Sequence, residues 1–211
     1  MTAPLILRAA CLRLAGKVLL GPLDLTVEPG QVVTLMGPSG SGKSSLLSWL
    51  CGTLAREFEA EGRVLLGERD LTDLPPERRR LGILFQDDLL FPHLSVAENL
   101  GFALPARAGD RSPRIAAALA EADLAGFEAR DPATLSGGQR ARVAALRVLL
   151  AEPSALLLDE PFAKLDAELR EQFRRFVIDH AQAAGLPVLL VTHDPADARA
   201  AGGPVLRLGQ P

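Results

Sequence analysis

Cysteine is scarce in this chain of 211 residues: only Cys11 and Cys51 are present. They lie far apart and match no metal-ligand spacing. They read as reduced core thiols in a reducing compartment, and a disulfide scaffold is excluded. Positive charge is also in short supply. The formal net charge is −3, so the cationic excess that neutralises a nucleic acid backbone is missing, and no nucleic acid partner is expected. Long apolar runs are absent. No stretch approaches the roughly 18 residues a membrane-spanning helix needs. Met1 to Leu7 lacks a basic segment followed by an apolar one, so no signal peptide is expected. These absences predict a cytosolic chain whose link to a membrane, if any, runs through a partner. Neither an internal repeat nor a low-complexity segment is found. What is present is ordinary for a globular protein: 48% hydrophobic and 23% charged residues. The length suits one domain, or one domain with an insert, and can bury a core unaided.

The apolar runs are short and bounded by turn residues. Leu5–Leu14 and Pro22–Val27 read as early strands, closed by Glu28-Pro29-Gly30. Val32–Met36 reads as a buried strand that runs into a Gly-rich loop, and Ser44–Leu54 as the helix after it. Arg63–Leu66, Gly82–Phe85 and Val205–Leu208 are further strands. Ala155–Leu158 and Val188–Val191 are continuous apolar runs, as strands covered on both faces require. Strands alternating with helices predict an α/β fold with a mostly parallel sheet. From Ser95 to Ala151 the pattern changes to helical, over Ser95–Leu104, Pro113–Leu124 and Gly137–Ala151, with stops at Pro105, Gly126 and Pro153. This stretch reads as a helical subdomain inserted into the α/β core.

Gly37-Pro38-Ser39-Gly40-Ser41-Gly42-Lys43-Ser44 fits G-x-x-x-x-G-K-[ST], the phosphate-loop pattern. Its glycines let the backbone curl until several N–H groups face one anion, and the following helix adds its positive end. Lys43 is suited to the β- and γ-phosphates and the Ser44 hydroxyl to Mg²⁺. Lys43 is one of only three lysines in a chain that otherwise uses arginine. A compact ammonium suits this place better than a planar fork. Leu156-Leu157-Leu158-Asp159-Glu160-Pro161 is a buried strand ending in two acids. Such a strand delivers a carboxylate to the sheet edge where ligands bind in open α/β folds. Asp159 is the candidate Mg²⁺ carboxylate, and Glu160 the candidate base for an attacking water.

Leu135-Ser136-Gly137-Gly138-Gln139 opens a second helix with a Ser N-cap and two glycines, which makes a second anion-binding helix end. Two such ends in one chain make sense if two chains share each nucleotide. With this motif the chain resembles the ABC ATPases over nearly its whole length. The resemblance implies a P-loop ATPase fold in a single nucleotide-binding domain, 1–211. In it a core with an antiparallel β edge (1–86 and 152–211) carries an inserted helical subdomain (87–151). It implies ATP as nucleotide, bound by Gly37, Pro38, Ser39, Gly40, Ser41, Gly42, Lys43, Ser44 and Ser45. It also implies a head-to-tail dimer in which Ser136, Gly137, Gly138 and Gln139 of one copy reach the nucleotide of the other. Gln86 matches the glutamine that links Mg²⁺ and water to the helical part, so Ser44, Gln86 and Asp159 form the implied metal set. Ala163-Lys164-Leu165-Asp166 matches the D-loop, with Lys164 where serine is commoner and Asp166 as a dimer contact. His193 matches the switch histidine that senses the γ-phosphate. The implied catalytic set is Glu160, His193, Gln86 and Lys43.

One position departs from the family pattern. An aromatic residue usually stacks on adenine, yet tyrosine is absent here and Leu14 or a neighbour takes that place, so GTP use is compatible with the site. The segment Phe85–Leu100 resembles the import ATPases for spermidine, sulfate, iron(III) and thiamine. It contains the apolar stretch Leu89–Val96, which is a candidate docking groove for a permease helix or part of the subdomain core. The implied setting is the inner face of a cell membrane, with a permease as partner and a periplasmic binding protein choosing the solute. The chain stops just after its last expected strand, so the regulatory β-domain of longer relatives is expected to be absent. Alternatives are an exporter or lipoprotein-extraction ATPase, and a soluble ABC ATPase. The latter would want coiled coils or tandem cassettes. A GTPase switch would want an N-K-x-D motif, which is missing.

Overall fold

The computed structural model describes residues 2–105 and 109–209. Met1, residues 106–108 of the expected insert and the last two residues of the expected core lie outside them. By internal contacts the chain forms two compact units. One is Met1–Ile83 with Ser154–Glu160 and His180–Pro211, the other Leu84–Pro153 with Pro161–Asp179.

The first unit holds two sheets. Strands β1 (Leu5–Leu14), β2 (Lys17–Val27), β4 (Phe58–Leu66) and β5 (Arg69–Asp70) form an antiparallel sheet in the order β2-β1-β4-β5. The antiparallel part is thus a sheet of its own. β3 (Val32–Met36), β6 (Leu81–Leu84), β7 (Ala155–Asp159), β8 (Val188–Val191) and β9 (Val205–Arg207) form the second sheet, in the order β6-β7-β8-β3-β9. In it β3 pairs in parallel with β8 and β9, and β7 with β8. β3 and β8 are buried at every residue, which explains their unbroken apolar sequence. Helix α1 (Lys43–Cys51) follows β3, and Leu46, Leu47 and Leu50 on it join Leu7, Leu35 and Leu157 in one core.

Parallel register decides where the chemistry goes. Leu35 lies opposite Val191, and Val191 opposite Asp159. The chain therefore leaves β3, β7 and β8 at one sheet edge, starting at Gly37, Glu160 and Thr192.

The second unit is helical: α3 (Val96–Ala103), α4 (Arg111–Glu121), a 3₁₀ turn at Pro132–Thr134 and α5 (Gly137–Leu150). Val96, Leu100, Ile115, Leu119, Val143 and Leu146 form its core. The N-termini of α3 and α5 are both closed by capping boxes, Ser95 with Glu98 and Ser136 with Gln139.

The compact units divide differently from the segments read in the sequence, which kept all of 152–211 in the core. Residues 161–179 include the first turns of α6 (Ala167–Ala183), and these pack in the helical unit. Phe173 meets Phe162 edge to face with centroids 5.9 Å apart, and Phe176 packs on the helical core. Helix α6 had no counterpart in the sequence reading, nor had the short α2 (Pro76–Arg79) and α7 (Pro195–Ala201). β2 begins at Lys17 and β4 at Phe58, earlier than expected. In β4 the added part alternates with exposed Glu59 and Glu61, so no apolar run marks it, whereas the added part of β2 does hold a short apolar run, Val18-Leu19-Leu20.

Candidate functional site

The first unit gathers the expected phosphate-loop residues with Asp159, Glu160 and His193 at the edge just described. Gly42 takes a left-handed conformation, φ 82°, at the N-cap of α1. A side chain is strained there, which accounts for the glycine before Lys43. No side chain caps this helix end, and its first turn carries no acid. The end is thus kept clear for an anion. Lys43 is buried, and its ammonium donates to Gly37 O at 2.9 Å, Pro38 O at 2.7 Å and Ser41 Oγ at 3.3 Å. The cation thus has acceptors within the loop itself. Phosphate oxygens would compete with these carbonyls as charge-assisted acceptors.

Ser44 Oγ donates to Asp159 Oδ1 at 3.0 Å. This joins the loop helix to the end of β7. Burial pushes the Asp159 carboxyl above its usual range. The Ser44 hydrogen bond opposes that rise, Glu160 adds to it, and Lys43 opposes it. A carboxylate and a hydroxyl converging on one spot are hard oxygen donors, the set that suits Mg²⁺. The half-desolvated carboxylate gives a cation something to offset.

Glu160 follows with φ 47°, in the left-handed region that a glutamate rarely occupies. Its N–H donates to Val191 O at 3.0 Å, which holds the turn against β8. Glu160 Oε2 lies 3.0 Å from His193 Nδ1. A neutral imidazole with its proton on Nδ1 donates to this carboxylate and leaves Nε2 as an acceptor. The His193 side chain is 62% exposed and the Glu160 side chain 26%, so the pair lies open to an incoming ligand.

The second unit brings another set together. Gln86 and Gly137 line a cavity of about 330 Å³ together with Asp87, Arg140, Lys164 and Leu165. Lys164 forms an ion pair with Asp87, and Arg140 pairs with Asp88 at 2.9 Å. Arg147 donates to Leu89 O at 2.8 Å. Three cations from α5 and the 163–166 loop thus hold the segment after Gln86, an arrangement no short motif announced.

The expected contact residues of the second unit also have structural partners. Ser136 Oγ accepts from Gln139 N at 3.3 Å, and Gln139 Oε1 accepts from Ser136 N at 3.0 Å. Asp166 Oδ1 accepts from Leu169 N at 3.0 Å at the start of α6. Gly137 is open, whereas Gly138 is buried, and a methyl added there would meet Leu169 Cδ2 at 2.2 Å. The second glycine therefore answers to packing as well. In the Leu89–Val96 stretch Val96 is fully buried, Phe91 packs edge to face on Phe102, and Leu89 and Phe102 are exposed.

A glycine-rich loop between a parallel strand and a helix, with carboxylates on a nearby strand end, defines a P-loop protein that binds nucleoside triphosphate. The family model described as ABC transporter matches residues 20–163, and the chain belongs to that family. It is accordingly an ATP-binding protein and an ATP hydrolase. It is 51% identical over 195 residues to the uncharacterized ABC transporter ATP-binding protein YnjD of Escherichia coli, covering 92% of this chain and 90% of that one. The thiamine import ATP-binding protein ThiQ of Cereibacter sphaeroides is 48% identical over 180 residues, 83% of this chain and 76% of ThiQ. The sulfate/thiosulfate import ATP-binding protein CysA of Xylella fastidiosa is 43% identical over 186 residues; these are 85% of this chain but 53% of CysA. Against CysA, then, the chain spans about half the relative's length. Among the described residues no helix is long and apolar enough to cross a membrane.

Proposed function

We propose that this chain is the ATP-hydrolysing subunit of an importer, working on the inner face of a cell membrane through a partner permease. The observation that carries the chemistry is the convergence of Lys43, Ser44, Asp159, Glu160 and His193 at one sheet edge. The names of the relatives, thiamine and sulfate import proteins among them, support the direction of transport.

In this reading the phosphate loop and Lys43 hold the β- and γ-phosphates of ATP. Ser44 and Asp159 would hold Mg²⁺, which when bound supplies positive charge against the phosphates. Glu160 polarises the attacking water, and His193 steadies Glu160 and senses the γ-phosphate. A second copy closes the site head to tail, presenting Ser136, Gly137 and Gly138 to the nucleotide, with Gln139 and Asp166 nearby. Segment 87–151 is the part that feels the permease, and Leu89 and Phe102 are the exposed apolar side chains on offer to it. A periplasmic solute-binding protein selects the cargo.

The test is a pull-down of tagged Glu160→Gln from detergent-solubilised native membranes, with mass spectrometry of what accompanies it. A multi-span permease encoded beside a periplasmic binding protein is the expected result. A soluble partner without any membrane protein would overturn the transport reading and leave the ATPase standing.

A further inference from the structure

We infer that Asp197 and Thr192 are positioning residues for ATP hydrolysis, acting together through His193. The inference rests on the role given to His193 above. Both residues are buried, each 2% exposed, in a part of the chain that is otherwise apolar or solvated. Thr192 Oγ1 donates to Asp197 Oδ2 at 3.2 Å. The same oxygen accepts from Asp194 N at 3.0 Å. One hydroxyl thus spans the His193 position from behind: it ties the residue after the histidine to the first turn of α7. Asp194 Oδ1 accepts in turn from Ala196 N at 2.7 Å, which caps α7. On the strand side, Thr192 N donates to Leu35 O at 3.3 Å, at the end of the strand that feeds the phosphate loop.

The consequence falls on His193. Its side chain is largely in solvent, and its contact with Glu160 is the hydrogen bond at 3.0 Å. An exposed imidazole keeps one rotamer only as well as its backbone is held. Here the backbone is held on both sides by a hydroxyl that has both a donor and an acceptor role filled. The acceptor is a buried carboxylate, the stronger kind of partner. Removing either end frees a loop whose displacement by about 1 Å would break the His193–Glu160 contact. Asp197 works through Thr192, by fixing where Nδ1 sits.

Thr192→Val keeps the shape and deletes the hydroxyl. Steady-state ATPase kinetics should show kcat lowered about 10- to 100-fold, with KM within about threefold. Thr192→Ser should restore most of the turnover. Asp197→Ala should cost no more than Thr192→Val, which also removes the acceptor of Asp194 N, and the double variant should be no worse than Thr192→Val, because their shared hydrogen bond is lost only once. The deciding comparison uses His193→Ala as background. There, adding Thr192→Val should change kcat less than twofold. Additive losses in that background would overturn the proposal, since the pair would then be acting on something other than His193. Full turnover in Thr192→Val would overturn it too. If Asp197→Ala fails to fold, Asp197→Asn decides instead: its amide oxygen still accepts from Thr192 Oγ1, so it should keep most of the turnover, and a loss as large as that of Thr192→Val would overturn the proposal. If His193→Ala alone retains wild-type turnover, the role given to His193 fails. In that case a loss in Thr192→Val shows a positioning effect on another group and overturns the present assignment separately.

Discussion

Asp159→Asn should make the nucleotide-free protein more stable while stopping its turnover. Burial raises the Asp159 carboxyl above its usual range, so the charged form is the disfavoured one in the folded state. The sign follows directly. The folded protein holds the proton more tightly than the unfolded chain, so stability falls as pH rises through the folded-state value. At neutral pH the penalty is in full force, and an uncharged amide removes it. Asn keeps an oxygen to accept from Ser44 Oγ, so the hydrogen bond at 3.0 Å survives. Asp159 is only half-buried, and solvent screening reduces the gain to about 0.5–1 kcal/mol. For a chain of this size that corresponds to a rise in Tm of about 1–4 °C. Differential scanning calorimetry without nucleotide, at pH 7.5 and again near pH 4.5, reads it directly, and the difference between variant and wild type should shrink at the lower pH. With Mg²⁺ and ATP the order should reverse, because only the carboxylate gains from the cation. A variant less stable than wild type at neutral pH without ligand would refute the reasoning, as would one that hydrolyses ATP at the normal rate.

Lys43→Ala should lower ATP turnover by at least about 100-fold in a phosphate-release assay, because it removes the one cation held inside the phosphate loop. Glu160→Gln should keep nucleotide binding, lose about 10²- to 10⁴-fold in kcat, and accumulate an ATP-bound dimer in sedimentation. Sedimentation that shows only monomer with Mg²⁺ and ATP would count against a shared site in the isolated subunit. Burial pushes the Cys51 thiol up to about 11, so it should resist a thiol reagent at pH 8 until the protein is unfolded in denaturant.

Much of the first unit was legible because its signals are local. β3 and β8 are buried at every residue, so their sequences are unbroken apolar runs, and both were read with the right ends. Gly42 and Lys43 sit where backbone geometry and charge leave few alternatives. The pairing of Glu160 with His193 was less legible, because it depends on the register that sets Asp159 opposite Val191 across 32 positions of sequence. Helix α6 was missed although it carries an apolar stripe among its many charges: Leu169, Phe173, Phe176 and Val177 recur at i, i+4, i+7 and i+8, so its signal was there to be read. Thr192 and Asp197 carry no motif signal at all. A buried threonine and a buried aspartate look like any turn residues until the fold closes over them.

The passage of the chain between its two units also governs how it can be cut. The helical unit is built from two separate stretches, Leu84–Pro153 and Pro161–Asp179. A gene fragment that ended at Pro153 would contain every helix the sequence pattern announced, yet it would lack Leu169 against Gly138, Gln172 on Arg142 and Phe176 on the apolar core. Such a fragment would expose the inner side of α5 and be prone to precipitate. The link between those two stretches is β7 itself, with Ala155–Leu158 buried in the first unit's sheet, so a protease should cut there only once that sheet has opened.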